Sequence, residues 1–153
     1  MKKKPDIICI GSVLWDVIGR STAKMNLAAD QPGKIIRIPG GVALNLAMSL
    51  QQNGFNSLIL SVIGKDHEGD QLIEELKSRR IITDYIYRTN EFPTDSYMAI
   101  EGSNGLVGAI ADTQTLEKCE KNIFSPLQNG TLGDVKDPWP GLIALDGNLT
   151  ETL

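Results

Sequence analysis

The sequence predicts an α/β fold, with a mostly parallel buried sheet covered by helices on both faces and a second, small β-sheet beside it. Three observations predict this. Asp6 to Ile10 and Ser57 to Ile63 are short apolar runs stopped by Gly11 and Gly64, the pattern of strands buried on both faces. The segments that begin at Gly41 and Glu68 carry apolar residues at helical spacing, so helices alternate with those strands. Residues 16–20 and 33–38 alternate more and carry polar positions, as half-exposed antiparallel strands do, and 96–101 and 106–111 flank a turn signal.

Taken in order, Asp6 to Gly11 is the first buried strand, and 16–20 with 33–38 starts the small sheet. Val42, Ala43, Leu46, Ala47 and Leu50 mark one stripe of a helix, and Gly54 stands where a left-handed cap ends it. Ser57 to Ile63 is the next buried strand. Glu68 to Arg79 is a helix with Leu72, Ile73 and Leu76 inward and an i,i+4 pair, Glu75 with Arg79. Tyr85 to Arg88 is a third core strand, joined by a right-handed crossover. Ser103-Asn104-Gly105 is a turn signal between 96–101 and 106–111, which makes them a hairpin. A helix follows from Thr115 until Asn129-Gly130, and Gly141 to Leu145 is a last apolar strand running into Asp146-Gly147-Asn148.

Composition narrows the function. The chain has 153 residues, of which 41% are hydrophobic and 22% charged, enough for a packed core and unlike a disordered tail. A net charge of -4 disfavours nucleic acid as a partner, and the one basic cluster, Lys2-Lys3-Lys4, is a short leader. Cys9 and Cys119 stand far apart with a single histidine, so neither a disulfide framework nor a zinc site is encoded. No apolar run is long enough for a signal-peptide core or a membrane span. A cytoplasmic protein with a small-molecule partner is expected.

The most informative segment is Pro39-Gly40-Gly41-Val42-Ala43-Leu44-Asn45-Leu46-Ala47, a glycine pair opening a helix with a carboxamide on its first turn. Paired glycines admit a ligand close to the backbone, and the helix start offers free N–H groups. His67, between Asp66 and Glu68, fits capping and dipole complementation better than metal binding. Trp15 and Trp139 fit packing better than base stacking.

That string, with Gly54 after the helix and Gly64-Lys65-Asp66-His67-Glu68-Gly69 after the next strand, resembles the N-terminal signature of the ribokinase-like (PfkB) carbohydrate kinases. Gly11-Ser12-Val13-Leu14-Trp15-Asp16 is similar to that family's first strand and its sugar-binding aspartate. Asn26 to Lys34 leading into Pro39-Gly40-Gly41-Val42, Thr94 to Tyr97, and Ala111-Asp112 resemble the family's pseudouridine-kinase branch. The resemblance runs from Asp6 to Thr150. Leu44 departs from it, standing where relatives often carry a basic or polar residue.

The resemblance implies a ribokinase-like three-layer fold with a β-sheet lid made by the strands near 16–20, 33–38, 96–101 and 106–111. It implies that Asp16 and Asn45 hold ribose hydroxyls, with Gly40 and Gly41 shaping the floor, since a carboxylate between vicinal hydroxyls makes charge-assisted bonds. Asp30, Ser96 and Asp112 are placed near the lid and the base, and Asp146 and Asn148 near the phosphates of the nucleotide. The implied reaction transfers the γ-phosphate of ATP, with Mg2+, to the 5′-hydroxyl of a nucleoside. Nothing in residues 1–153 matches the family's C-terminal anion hole and catalytic aspartate, and no Walker sequence is present, so the chain is expected to be the N-terminal, substrate-binding half and inactive alone. No catalytic residue and no metal ligand is expected in it. Lid strands with free edges are expected to pair two copies.

Two alternatives stay open: a kinase for another sugar, such as ribose or fructose, and a non-catalytic nucleoside- or sugar-binding module. A dinucleotide-dependent oxidoreductase is disfavoured because Gly11 to Asp16 contains no Gly-x-Gly-x-x-Gly.

Overall fold

A computed structural model describes residues 4–149. Lys2, Lys3 and Thr150, which the sequence reading used, lie outside the described residues. The elements in chain order are β1 (Ile7–Ile10), β2 (Leu14–Arg20), β3 (Lys34–Gly40), α1 (Val42–Gln52), β4 (Ser57–Leu60), β5 (Val62–Gly64) and α2 (His67–Ser78). They continue with β6 (Tyr87–Thr89), β7 (Ser96–Gly102), β8 (Gly105–Asp112), α3 (Gln114–Cys119), a 3-10 turn at Glu120–Asn122, α4 (Ser125–Gln128) and β9 (Leu142–Leu145).

β1 lies between β4 and β9, parallel to both, and β5 carries the line on to β6, again in parallel. Side-chain alternation then divides the core into two layers. Cys9 and Ile59 point to one face and pack with Ala43, Leu44 and Ala47 of α1 and Leu72 and Leu76 of α2. Ile8, Ile10, Leu58 and Leu60 point to the other, against Leu116, Cys119 and Ile123. This is the expected helix–sheet–helix arrangement. On β9, Leu142, Ile143 and Leu145 remain exposed.

The small sheet has the order β3-β2-β7-β8. β2 with β3 and β7 with β8 are antiparallel as expected, but β2 and β7 run parallel. Both strands leave the core at the same end, β2 directly after β1 and β7 after β6, so they travel in the same direction. The sheet is therefore one four-stranded plate.

Four further differences have local causes. The run from Ser57 to Ile63 is two strands, because the Ser61 hydroxyl donates to the Gly11 carbonyl at 2.6 Å and the chain changes pairing partner from β1 to β6. The third core strand begins at Tyr87 rather than Tyr85. The helix from Thr115 breaks into α3, a 3-10 turn and α4, whose first turn holds Pro126, a residue without the N–H that a helix interior needs. In α1 the buried stripe is Ala43, Leu44 and Ala47, while Val42 and Leu46 face outward. Leu44 is thus a core side chain, and a contact from that position to a ligand is not made. Gly54 has φ 88°, as a residue just past a helix cap should.

Asp66 caps α2 by accepting from the Gly69 N–H at 2.8 Å, and it also accepts from the Thr94 N–H at 2.7 Å and the Thr94 hydroxyl. Burial alone would raise its carboxyl; those bonds and the charge of Arg88 outweigh burial and hold it below the usual carboxylate range. His67 follows as the first residue of α2 and shares a 3.0 Å contact with Gln71. Trp15 packs, donating from its indole to the Glu68 carbonyl under the Arg37 guanidinium.

Candidate functional site

A cavity of about 420 Å³ opens where the small sheet meets the C-terminal ends of the core strands. Its wall includes Ser12 from the exit of β1, Leu14 and Asp16 of β2, Gly41, Val42 and Asn45 at the start of α1, and Tyr97 of β7. Ala111 of β8, Thr113, Leu116 and Glu117 around α3, and Asn148 after β9 complete it. Crevices at strand ends are where open α/β sheets bind ligands.

Glycine makes the approach possible. Gly41 has φ 98°, and a Cβ there would run into the Ser12 backbone. A Cβ on Gly40 would occupy the space of the Asp16 carboxylate. Gly40 therefore does not line the cavity; it lets Asp16 sit where it does.

The aspartates around the site differ sharply in their partners. Asp146 is 4% exposed and accepts from the Ser12 N–H at 2.9 Å, from the Ser12 hydroxyl and from the Asn148 N–H at 2.8 Å. The same Ser12 oxygen accepts from the Val42 N–H at 2.8 Å, tying β9 to β1 and β1 to the first turn of α1. Asp95, inside the Thr94 to Tyr97 segment but not among the expected site residues, is buried between β6 and β7 and accepts from the Thr115 and Leu116 N–H groups at 2.9 Å each, anchoring α3. Burial raises its carboxyl above the ordinary value, and those N–H groups offset only part of the rise.

Asp16 is different. Among the described residues no donor reaches its carboxylate, and the side chains of Asn45 and Tyr97 are likewise without hydrogen-bond partners. Burial raises the Asp16 carboxyl above the ordinary value. A half-buried carboxylate, a carboxamide and a phenol, all unpartnered in one cavity, form a site that a polyhydroxylated ligand would satisfy.

Of the residues expected at the site, the structure brings Asp16, Gly41, Asn45 and Asn148 together. It does not bring Ser96 or Asp112 there. Asp16, Tyr97 and Ala111 are register partners across β2, β7 and β8, so Ser96 and Asp112, each one residue away, take the opposite face. Asp30 is exposed in the loop between β2 and β3 and lines no part of the cavity. Asp146 faces the β1 exit, but its carboxylate is occupied by Ser12 and Asn148. Among the described residues no three His, Cys, Asp or Glu side chains are grouped to hold a metal ion. These residues do not fit a magnesium–nucleotide site on their own. Among them, too, no helix is long and apolar enough to cross a membrane.

Fold and cavity together define a ribokinase-like α/β protein with a small sheet beside a cavity at the strand ends. The profile of the pfkB family carbohydrate kinases matches residues 4–131, and the chain belongs to that family. It is 32% identical over 105 residues to the pseudouridine kinase of Escherichia coli (strain K12), an alignment covering 69% of this chain and 34% of that protein. It is 31% identical over 144 residues to the uncharacterized sugar kinase YeiI of the same organism, covering 94% of this chain and 38% of that one. The structure of ribokinase from Giardia lamblia superposes with a TM-score of 0.77 at 14% identity, over 96% of this chain and 46% of that one, a likeness of fold. The chain thus spans little more than a third of the length of these two curated relatives.

Proposed function

We propose that this chain forms the substrate cavity and lid of a nucleoside kinase, with pseudouridine as its substrate. The observation that carries this reading is that the Asp16 carboxylate and the Asn45 side chain, in one cavity, have no hydrogen-bond partner among the described residues. Asp16 accepts from two vicinal ribose hydroxyls, Asn45 bonds a third oxygen, and the glycine pair lets the sugar lie against the backbone. In the whole kinase the phosphoryl group comes from ATP and is received by the 5′-hydroxyl. The work of the described residues is to bind and orient the acceptor, which in phosphoryl transfer is a large share of catalysis. The similarity to a pseudouridine kinase, at 32% identity, favours that nucleoside over ribose or fructose. Cytoplasmic location is part of the proposal, in line with Cys9 and Cys119 being buried and unpaired.

Calorimetric titration of the chain with pseudouridine, uridine and ribose tests it. Saturable binding that is tightest for pseudouridine and weakest for ribose is expected. A folded chain, checked by circular dichroism, that binds none of the three overturns it.

The lid also suits a second copy. On the face opposite Asp16, Ile35, Met98, Ile100 and Ile110 are 77, 51, 44 and 70% exposed, an apolar patch on a sheet whose outer strands β3 and β8 have free edges. Light scattering at high concentration is expected to give twice the chain mass, and Met98→Glu to halve it. A wild-type monomer throughout would remove the dimer from the proposal.

A further inference from the structure

The cavity has a second polar end. Asp16, Tyr97 and Ala111 lie side by side on three adjacent strands, so its floor extends two strand spacings, roughly 9–10 Å, from the sugar-binding carboxylate to β8. Just past β8 the wall is made by Thr113, Leu116 and Glu117. The Thr113 hydroxyl donates to Glu117 Oε1 at 2.9 Å, and among the described residues nothing is bonded to Oε2. Tyr97 stands between Asp16 and Ala111 in the strand register, and Leu14, Val42 and Leu116 line the same cavity.

A cavity lined by one carboxylate on β2, a tyrosine on β7 and a second carboxylate just past β8 suits a ligand longer than one sugar ring, with hydrogen-bond donors at both ends and a planar body. We propose that Glu117, oriented by Thr113 and with Tyr97 beside it, reads a ring N–H of the base. The inference rests on the nucleoside reading above. A uracil joined to ribose through carbon offers both N1–H and N3–H, whereas one joined through N1 offers only N3–H. Glu117 accepts the N1–H, which makes it the residue that separates a C-nucleoside from an N-nucleoside. A carboxylate is apt for this because it only accepts and its bonds are charge-assisted.

Glu117 is also four residues after Thr113 at the start of α3, so the test separates recognition from helix support. Glu117→Gln keeps an Oε1 for the Thr113 hydroxyl and exchanges the free oxygen for a donor amide. The wild-type chain and this variant are titrated with pseudouridine, N1-methylpseudouridine and uridine, with melting curves alongside. The wild type is expected to lose about tenfold or more in affinity when N1 is methylated. Glu117→Gln is expected to lower pseudouridine binding to the level of the methylated compound, with uridine changed less than about twofold and melting unaltered. A variant that keeps the full preference for pseudouridine overturns the assignment of Glu117. Should uridine and pseudouridine both bind in an Asp16-dependent way while that preference persists, only the base assignment fails. If neither binds the wild type, the nucleoside reading fails with it.

Discussion

Replacing Asp16 with alanine is expected to weaken nucleoside binding at least 100-fold while leaving the chain folded. Among the described residues no donor reaches the carboxylate, so its two bonds to the ligand hydroxyls are new on binding. Bonds to a charged group contribute about 1.5–3 kcal/mol each, and two of them exceed a hundredfold in affinity. The accompanying change in stability has the opposite sign. Burial raises the Asp16 carboxyl, so the folded chain holds that proton more tightly than the unfolded one. The contribution of this group to stability therefore grows as pH falls through the raised pKa and is least favourable above it. Asp16→Asn should melt no lower than wild type at neutral pH, although it binds poorly. Affinity in the wild type should rise with pH through the same range and then level off, because the ionised form is the acceptor. Titrations at several pH values with parallel melting curves check all three expectations; wild-type affinity in Asp16→Ala would remove this residue from the site.

Asp146→Ala is expected to cost about 2–4 kcal/mol of folding stability, because it leaves the buried Ser12 N–H without an acceptor and frees the Ser12 hydroxyl. That hydroxyl also receives the first N–H of α1, so the damage reaches the wall that carries Gly41 and Asn45. Nucleoside binding should fall with stability. A Cβ on Gly11, whose φ is 141°, would meet the Asp146 side chain, so the glycine that ends β1 serves the same junction. Urea titration measures the loss; less than about 1 kcal/mol would mean that solvent replaces the carboxylate at little cost.

Much of this was legible in the sequence. Apolar runs ended by Gly11 and Gly64 marked two core strands, helical spacing marked α1 and α2, and the glycine pair with Asp16 and Asn45 marked the cavity. What stayed hidden depended on long-range register. The family resemblance points to Ser96 and Asp112, yet a strand alternates every residue, and pairing with β2 turns Tyr97 and Ala111 inward. The phase of α1 was off because Val42 and Leu46 are as apolar as Leu44; which of them is buried depends on how the helix rolls against β1 and β4. Asp95 gives no local signal, since the N–H groups it holds lie 20 and 21 residues further on.

The tie between Ser12 and Asp146 joins residues 134 positions apart. Closing so long a loop is entropically costly and slow, and contacts of high sequence separation form late. Among the described residues β9 pairs with β1 alone, and Leu142, Ile143 and Leu145 stay exposed while Ala144 packs on the core. Docking of β9 is therefore expected to come late in folding, and it is the event that brings Asn148 to the cavity. The binding-competent state is then only the fully docked one, and a nucleoside acts as a clamp on that step. At a concentration of about 100 times its Kd it would stabilise the docked chain by about 2.7 kcal/mol, roughly as much as Asp146 itself contributes.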